Sequence, residues 1–593
     1  MAPASLELDS SEITAVLDRL IREDIIAQLL ERRGRMAELA TEAGDVKLDW
    51  VDQVAWALDH PDAIAGVEKL AQSIRSRFTQ IIWSGMGGSI QAVHTLKGMG
   101  LFAAEAPSVH PLDTTDPAAL NRLLRELAPD GDLGSALRRT LMIGVSMGMT
   151  SEEPITHLRW FEELLRAHGV EDPAAQVMVM TLPGSFLDHF AQEREAPRLD
   201  IQLDGRSHIA GRMSAPSTRV FLLPAALGLP GRLQEVLSRC QTETAMRPGM
   251  PENERRRLVE TDPFVSLAAW LSVQVDHGRD MLVLDLPRRW AALAPWVEQV
   301  VEESLGKEDR GLLVFYDQDV GSASTWPDRF CILQVDEGSG SNLAGRPRAV
   351  LHLDSTDDSV SRIAACARCF AGWNLTVALV AYLQDITFAG QPAVEHYKAY
   401  ARGLRDAAGE LPYPTEDVAS TATGRLKLFS GAAPVPAMDG RPRDAASILA
   451  AVATSLEDSG RLGYFDLTVN GDSAGPLWEA AQRAGRRFGN RVLGRPTKVR
   501  AGPRDYHSTE QSETAGPPDL LSLRVLVQDP EDVMAGLYDA RFLHAQALGT
   551  IFAMRDAGRP VLLAMVRREE AGAALVELLD EATAYLTNPS TRS

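Results

Sequence analysis

The spacing of hydrophobic residues changes once, near residue 76. Up to about residue 75, apolar residues recur every three or four positions, as in ITAVLDRLIREDIIAQLLERR and VDQVAWALDH, which predicts amphipathic helices. Beyond that point short apolar runs alternate with helical stretches and Gly-rich turns, and the runs are QIIWSG, TLMIGVS and QVMVMTL. This alternation is typical of a parallel sheet with helices on both faces.

A second alternating block begins at MLVLDLP, near residue 281, and continues through GLLVFY, RFCILQV and RAVLHLD. Residues 404–462 are richer in Pro, Gly, Ala and Ser, which predicts loops around a helix at 442–459. A third segment contains the runs YFDLTV, LLSLRVLVQ and PVLLAMV. We therefore expect an α/β protein with a helical segment at 1–75, two doubly wound parallel-sheet domains at 76–235 and 236–403, and an additional α/β segment at 404–593.

Composition and charge exclude some classes of function. The 593 residues carry a formal net charge of −21, which argues against general binding of nucleic acid or of a membrane surface, because both are polyanions. The first 30 residues lack the basic start and apolar centre of a signal peptide, and no run of 18 apolar residues occurs elsewhere. We expect a cytoplasmic protein.

Cysteine usage predicts neither a disulfide framework nor a zinc site. The chain has four cysteines, which are too few for a disulfide scaffold of this length. The only CxxC pair is CARC, in an apolar helical stretch, and it has no second CxxC or spaced His pair to complete a metal site. The cysteines Cys240, Cys331, Cys366 and Cys369 are predicted to be core residues.

Two Gly- and Ser-containing turns follow predicted strands. In IIWSGMGGSI, Gly87 and Gly88 lead to Ser89 at a helix N-terminus, where free amides and the helix dipole favour an anion. In VSMGMTSEE, the hydroxyls of Ser146, Thr150 and Ser151 surround one turn that contains no Lys or Arg. Packing glycines and a Thr150-to-Glu153 capping box are the structural alternatives, and the capping box is compatible with anion binding.

The stretch WVEQVVEESLGK predicts a helix that ends at Gly306. Gln299 and Glu303 are four residues apart and therefore share a face. Acidic residues near a helix C-terminus oppose the dipole, so Glu302 and Glu303 need a reason to be there. For Glu302 a solvated face would be enough. For Glu303 a general base that faces a cleft is the sharper hypothesis.

Three further stretches contain candidate chemistry. Arg212 lies in the turn AGRMSAPST, where a lone Arg is also typical of the surface. Gln391 and Pro392 open a helix in which Lys398 follows Glu395 at one-turn spacing, as in an ordinary surface pair. His507 lies among polar residues in RDYHSTEQSETAGP, which favours either a solvated loop or an acid–base group.

Taken in chain order, GMGGSI, VSMGMTSEE, GRMS, WVEQVVEESLGK and TFAGQPAVEHYK resemble the motifs of the glucose-6-phosphate isomerase family. Over about residues 45–593 the chain is most similar to the isomerase half of bacterial transaldolase–phosphoglucose isomerase fusions. The resemblance implies two sugar-isomerase (SIS) type domains and a C-terminal segment that contributes to the active site. It also implies interconversion of glucose 6-phosphate and fructose 6-phosphate through an enediol(ate), without metal or organic cofactor, in a homodimer whose partner molecule is a sugar phosphate.

The resemblance assigns roles residue by residue. Glu303 matches the base that moves a proton between C2 and C1, and Arg212 matches the cation that stabilises the enediolate oxygen. Lys398 and His507 match the groups that open the sugar ring, with His396 as the alternative to His507. The residues that match substrate and phosphate contacts are Gly88, Ser89, Ser146, Thr150, Ser151 and Gln299.

Several positions depart from the family pattern. They are Met147, Gly148, Ala389, Gly390, Ser512 and Glu513. Met147 stands where the family has the phosphate-loop Lys, and Gly148 where it has a hydroxyl. These losses favour, as alternatives, an isomerase adapted to another sugar-like substrate in a specialised pathway, or a sugar-phosphate-binding regulator without catalysis. The presence of Glu303, Arg212 and Lys398 together argues against a mere binder, because binding needs no base.

Overall fold

Three β-sheets organise the computed structural model, which describes residues 5–7, 12–244, 246–336, 345–353, 358–414, 419–436, 443–534 and 539–588. The first sheet is parallel throughout. Its strands, in order across the sheet, are Ser108–Leu112, Gln80–Ser84, Thr140–Ser146, Val177–Thr181 and Arg198–Leu199. The order reverses beside Gln80–Ser84, which creates a crevice at the carboxyl ends of the strands.

The second sheet is parallel except for its first edge strand. Its order is Ser5–Glu7, Arg348–His352, Phe330–Val335, Met281–Asp285 and Leu313–Phe315. The strand Ser5–Glu7 pairs antiparallel with Arg348–His352 and thereby attaches the N-terminal segment to this sheet.

The third sheet is mixed. Its order is Ala419–Ser420, Leu426–Phe429, Val561–Val566, Leu520–Val527, Tyr464–Asn470 and Thr497–Gly502. The last four strands are parallel to one another, and the first two pair antiparallel at the edge. The three sheets confirm the predicted α/β class with parallel sheets.

Helices cover the sheets and form most of the N-terminal segment. The helices of that segment are Glu12–Arg22, Ile25–Glu31, Gly34–Leu39, Gln53–Asp59 and Pro61–Arg77. A small hairpin of Thr41–Glu42 and Asp45–Val46 interrupts them. The chain between residues 13 and 33, predicted as one periodic stretch, forms two helices because Asp24 adopts a left-handed conformation between them.

The α-helices outside that segment alternate with the strands along the chain. They are Gln91–Gly98, Pro117–Leu127, Leu133–Arg138, Glu153–Ala167, Phe186–Glu193, Arg219–Gly228, Leu233–Thr244, Glu252–Thr261, Pro263–Asp276, Ala294–Leu305, Ser359–Leu383, Pro392–Asp406, Ala445–Asp458, Pro476–Ala480, Glu510–Ala515, Arg541–Asp556 and Ala571–Thr587.

One hydrophobic core joins the N-terminal helices to the first and second sheets. It extends in sequence from Ile13 to Phe388. A separate core fills the third sheet, and a further cluster, which includes Phe315 and Tyr464, packs the second sheet against the third. The third sheet is thus held against the rest of the chain, and loops from all three regions converge on one cavity.

Each of the ten apolar runs predicted as a strand contains one. Other strands were missed, among them two edge strands that have polar residues in their sequence. The strand Ser108–Leu112 contains His110 and Pro111, and Thr497–Gly502 contains Lys498 and Arg500. The predicted helix at 442–459 is present as Ala445–Asp458, and its predicted first residue lies outside the described residues.

The helix Ser359–Leu383 is long and apolar enough to cross a membrane by length and composition alone. Its most apolar window is 94% buried, so it is a core helix of this fold. Cys366 and Cys369 lie within it, and all four cysteines are buried and form no disulfide, as predicted. Burial raises the pKa of the Cys366 thiol, which keeps it in the unreactive protonated form.

Candidate active site

A cavity of about 420 Å³ lies beyond the carboxyl ends of the first sheet's strands. The turn Gly87–Ser89 and the loop after Ser146 form one side of it. The turn Gly211–Met213, the helix Ala294–Leu305, the start of Pro392–Asp406 and the turn Arg504–His507 supply the rest. Segments separated by more than 400 residues therefore meet at one place.

Nine of the ten site residues predicted from sequence line this cavity. They are Gly88, Ser89, Thr150, Ser151, Arg212, Gln299, Glu303, Lys398 and His507. The tenth, Ser146, is buried beneath the loop, and its hydroxyl donates to the Gly148 carbonyl oxygen at 2.9 Å. In this conformation Ser146 shapes the loop and does not face the cavity.

The glycines of the first turn are required by close packing as well as by the cavity. Gly87 has a φ of +52°, and a Cβ atom there would lie 2.7 Å from the His507 carbonyl oxygen. A Cβ atom on Gly88 would lie 2.2 Å from the backbone of Gly211. The turn that carries Ser89 is therefore packed directly on the turn that carries Arg212.

Glu303 is held between a cation and an amide in the cavity wall. Its Oε1 accepts a hydrogen bond from Arg212 Nη1 at 3.0 Å, and its Oε2 accepts one from Gln299 Nε2 at 2.9 Å. Gln299 also donates to the carbonyl oxygen of His507 at 3.2 Å. Burial raises the pKa of Glu303, and the Arg212 charge opposes that rise. A carboxylate with a raised pKa in a fixed orientation is suited to proton transfer.

Arg212 is fixed by four hydrogen bonds and is only 3% exposed. Besides Glu303, it donates from Nε to Ser304 Oγ at 2.7 Å and from Nη2 to the carbonyl oxygens of Phe388 and Gly390. A guanidinium has five N–H donors. The fifth, on Nη1, has no partner among the described residues and is free to bind a substrate oxygen beside Glu303.

Lys307 fixes the same carbonyl-rich loop from behind. Its Nζ donates to the carbonyl oxygens of Thr387, Ala389 and Gly390 at 2.6, 2.8 and 3.0 Å. Burial, together with the nearby Arg212 charge, lowers the pKa of Lys307 to about 7. Sequence reasoning gave Lys307 no role, although it lies in the ESLGK motif that carried the resemblance.

His507 is buried and paired with Glu153. Its Nε2 lies 2.6 Å from Glu153 Oε1, which also accepts a hydrogen bond from Gln546 Nε2 at 2.8 Å. Burial alone would raise the pKa of Glu153, but the charge and hydrogen bond of His507 lower it to about 2. His507 therefore does not belong to a solvated loop, and an ionised Glu153 holds its imidazole in place.

The predicted capping box at Thr150 and Glu153 is wrong. The helix Glu153–Ala167 has Glu152 at its N-cap, and no side chain caps it. The Glu153 carboxylate faces His507 instead, and Thr150 lies in the cavity wall. A pairing between residues 354 positions apart leaves no local signal in the sequence.

Lys398 enters the cavity from the start of the helix Pro392–Asp406. Its Nζ donates to Glu395 Oε1 at 2.9 Å, which is the predicted one-turn pair, and both side chains line the cavity. His396, the alternative to His507, has a half-exposed side chain that lies 3.9 Å from Asp556 and does not line the cavity.

The anion loop is the open part of the site. Met147, Met149, Thr150 and Ser151 all line the cavity, and Met149 is 48% exposed. Met147 is partly buried and packs on the main core beside Gly211. The loop therefore offers hydroxyl groups and backbone amides but no cation.

Glu302 is not on a solvated face, contrary to the prediction. It is fully buried and forms an ion pair with Lys498, and its Oε1 accepts a hydrogen bond from the backbone N–H of Val314 at 2.7 Å. Glu298, one turn earlier, pairs with Lys498 at 3.1 Å and with Arg500 at 3.2 Å. This buried cluster attaches the helix of Glu303 to the third sheet. Sequence reasoning missed it because isolated charged residues are usually solvated.

The N-terminal segment also contributes to the cavity, which the sequence analysis did not anticipate. Glu42, Asp45 and Lys47, in and after the small hairpin, lie in the cavity wall. Within the part of the chain that the structure describes, no three His, Cys, Asp or Glu side chains are grouped so as to hold a metal ion.

Comparison with known proteins finds relatives that match part of the chain. No protein-family model matches the chain. It is 30% identical over 298 residues to the glucose-6-phosphate isomerase of Synechococcus sp. (strain JA-3-3Ab), which is 47% of this chain and 51% of that protein. It is 32% identical over 257 residues to the chloroplastic glucose-6-phosphate isomerase 1 of Arabidopsis thaliana, covering 42% of this chain and 38% of that protein. The chain thus matches about half the length of these relatives or less.

Solved structures show a shared fold over a larger part of the chain. A hypothetical protein from Thermus thermophilus superposes with a TM-score of 0.53 at 22% identity, covering 68% of this chain and all of that one. A glucose-6-phosphate isomerase from Chlamydia trachomatis superposes with a TM-score of 0.50 at 14% identity, covering 67% of this chain and 86% of that one. These likenesses confirm the predicted α/β fold, which this chain shares with both structures.

Proposed function

We propose that this chain, a member of the glucose-6-phosphate isomerase family over about half of its length, is an aldose–ketose isomerase of a sugar phosphate. Its simplest reaction is the interconversion of glucose 6-phosphate and fructose 6-phosphate. The observation that carries this proposal is the buried Glu303 carboxylate, held between Arg212 and Gln299 at 3.0 and 2.9 Å in a cavity wall.

Glu303 is the proposed base. In the aldose-to-ketose direction it removes the proton from C2 and leaves an enediolate. The C2 hydroxyl proton passes to the former carbonyl oxygen on C1, and Glu303 returns its own proton to C1, so that aldose becomes ketose. One carboxylate can reach both carbons because they are adjacent. Its raised pKa brings the basicity of Glu303 closer to that needed near neutral pH.

Arg212 is the proposed cation for the enediolate oxygen. Negative charge grows on that oxygen as the proton leaves, and a fixed donor stabilises it without reorganisation. The free Nη1 N–H is on the same nitrogen that faces Glu303. The proposed base, Glu303, and the proposed oxyanion donor, Arg212, are therefore hydrogen-bonded to each other in a fixed geometry.

His507 and Lys398 are the proposed ring-opening groups. Opening a pyranose requires a proton on the ring oxygen and loss of one from the anomeric hydroxyl. Glu153 holds the His507 imidazole at 2.6 Å, and Lys398 faces the same cavity from the helix Pro392–Asp406. Side chains supply every step, so the proposed reaction requires neither a metal nor an organic cofactor.

The proposed position of the phosphate is between the turn of Ser89 and the loop of Thr150 and Ser151. Hydroxyl groups and helix-start amides hold anions without a formal charge. By family resemblance we also propose a homodimer and a cytoplasmic location. The cation-free loop favours one alternative substrate class, a sugar or sugar-like molecule with a weaker anionic end.

A coupled assay of purified protein with fructose 6-phosphate tests the proposal. We expect glucose 6-phosphate to form in the wild type and not in Glu303→Gln. Binding of fructose 6-phosphate without turnover would instead indicate a regulator. Neither binding nor turnover would mean that another sugar is the substrate, and a panel of hexose phosphates and free hexoses would then identify it.

A further inference from the structure

Lys47 lies in the wall of the candidate active site and comes from a part of the chain outside both sugar-isomerase sheets. It follows the hairpin of Thr41–Glu42 and Asp45–Val46, and its backbone N–H donates to the Ala40 carbonyl oxygen at 2.9 Å. The next residue, Leu48, forms an antiparallel bridge with Ile209. Lys47 is thus held on the segment that leads into the Arg212 turn.

Lys47 makes the longest carboxylate contact of the three Lys and Arg side chains that line the cavity. Its side chain is only 16% exposed, yet its ammonium has one partner among the described residues, Asp45 Oδ2 at 3.4 Å. A charge-assisted N–H···O bond is normally about 2.7–2.9 Å long. Two of the three ammonium donors are therefore available, and the third makes a weak contact.

The other cations of the cavity have closer carboxylate partners and other proposed roles. Arg212 is paired with Glu303, and Lys398 donates to Glu395 at 2.9 Å. The anion loop itself contributes none, because Met147 packs on the core beside Gly211. Since the cavity also contains Glu42, Asp45 and Glu395, a phosphate dianion would meet net negative charge without a further cation.

We propose that Lys47 supplies the cation for the anionic end of the substrate, in place of a lysine in the hydroxyl loop. The inference rests on the proposed function, because it concerns how the same cavity holds a phosphorylated sugar. In the bound complex the Lys47 ammonium turns from Asp45 to the phosphate and forms a charge-assisted hydrogen bond. Affinity for the phosphate then depends on the N-terminal segment.

Steady-state kinetics of Lys47→Met with fructose 6-phosphate is the test. We expect KM to rise roughly ten- to a hundredfold, the range for loss of a hydrogen bond to a charged group, with kcat within about twofold. Lys47→Arg should recover most of the affinity. Lys69→Met, which removes an exposed lysine on the helix Pro61–Arg77, is the matched control and should leave both constants unchanged.

Inhibition by inorganic phosphate provides the second readout. Its inhibition constant should rise in Lys47→Met by about the same factor as KM. An unchanged KM and unchanged phosphate inhibition, or a fall in kcat alone, would overturn the inference. If the wild type converts no fructose 6-phosphate, the proposed function fails. Calorimetric titration of inorganic phosphate into wild type and Lys47→Met then tests the role of Lys47 separately. Weaker phosphate binding in Lys47→Met would support that role, and equal binding would overturn it.

Discussion

The two ends of the cavity are built in opposite ways. At one end Glu303 and Arg212 are each 3% exposed and fixed by hydrogen bonds. At the other end Thr150 and Ser151 belong to a partly exposed loop in which Met149 is 48% exposed. The first end is buried and paired in charge, whereas the second is open and carries no charge of its own.

This difference separates chemistry from recognition. Proton transfer needs a base and an oxyanion donor held to within a fraction of an ångström, and that requires packed, hydrogen-bonded support. Binding a phosphate needs only hydrogen-bond donors or cations within reach of its oxygens. Several segments of the chain can provide them. The proposed reaction is therefore compatible with the absence of a loop lysine, provided that another cation reaches the phosphate.

The largest effect is expected from Glu303→Gln, which removes the proposed base but keeps the shape of the side chain. We predict a fall in kcat of roughly a thousandfold, within the usual range for general base catalysis, with KM nearly unchanged. Steady-state kinetics with fructose 6-phosphate measures this. Glu308→Gln, which changes an exposed glutamate in the turn after this helix, is the control and should retain full activity. If kcat fell equally in the two variants, Glu303 would have no special part in catalysis, and the comparison between the two ends of the cavity would fail.

Arg212→Met should lower kcat/KM roughly a hundredfold by removing the oxyanion donor. It should also move the acidic limb of the pH profile. In the proposed mechanism Glu303 acts as the ionised base, and Arg212 opposes the burial-driven rise of the Glu303 pKa. Without Arg212 the pKa of Glu303 rises further, so the acidic limb of kcat/KM shifts to higher pH. A shift to lower pH, or none, would show that the two side chains do not act as a pair.

His507→Asn and His396→Asn compare the two candidate ring-opening residues. We expect His507→Asn to lower kcat with glucose 6-phosphate by about a hundredfold, because an asparagine cannot transfer the proton. His396 lies outside the cavity, so its replacement should change kcat by less than about twofold. The reverse order of effects would assign ring opening to His396.

Met147→Lys has the smallest expected effect and tests the open end directly. A lysine at this position would add a cation to the hydroxyl loop, and we predict a severalfold fall in KM for fructose 6-phosphate at unchanged kcat. Met534→Lys, at an exposed position that does not line the cavity, is the control for general electrostatic attraction. If neither variant lowers KM, the phosphate does not lie against this loop.

Local features of the fold and site were predictable from the sequence. Apolar runs such as TLMIGVS become strands because a buried parallel strand needs apolar side chains on both faces. The helix signals and residue spacing indicated that Gln299 and Glu303 share one face. The Gly- and Ser-rich turn indicated Arg212 as a candidate site residue. The resemblance to a known family then supplied their roles, which remain predictions.

What escaped prediction depends on distant partners. The strand Thr497–Gly502 was not predicted because Lys498 and Arg500 are untypical of a buried strand. In the structure both side chains form ion pairs with Glu298 or Glu302 on a neighbouring helix. Glu153 was taken for a capping residue because its true partner, His507, lies 354 positions away. Charged residues are buried only when paired, and a single sequence does not show the pairing.

The central claim is that Glu303 moves a proton between adjacent carbons of a sugar phosphate. The most direct measurement follows solvent deuterium into C1 of fructose 6-phosphate and C2 of glucose 6-phosphate by NMR in D₂O. The account predicts incorporation at these carbons with the wild type and none with Glu303→Gln. Binding of fructose 6-phosphate by the wild type without incorporation, or incorporation that persists in Glu303→Gln, would contradict it.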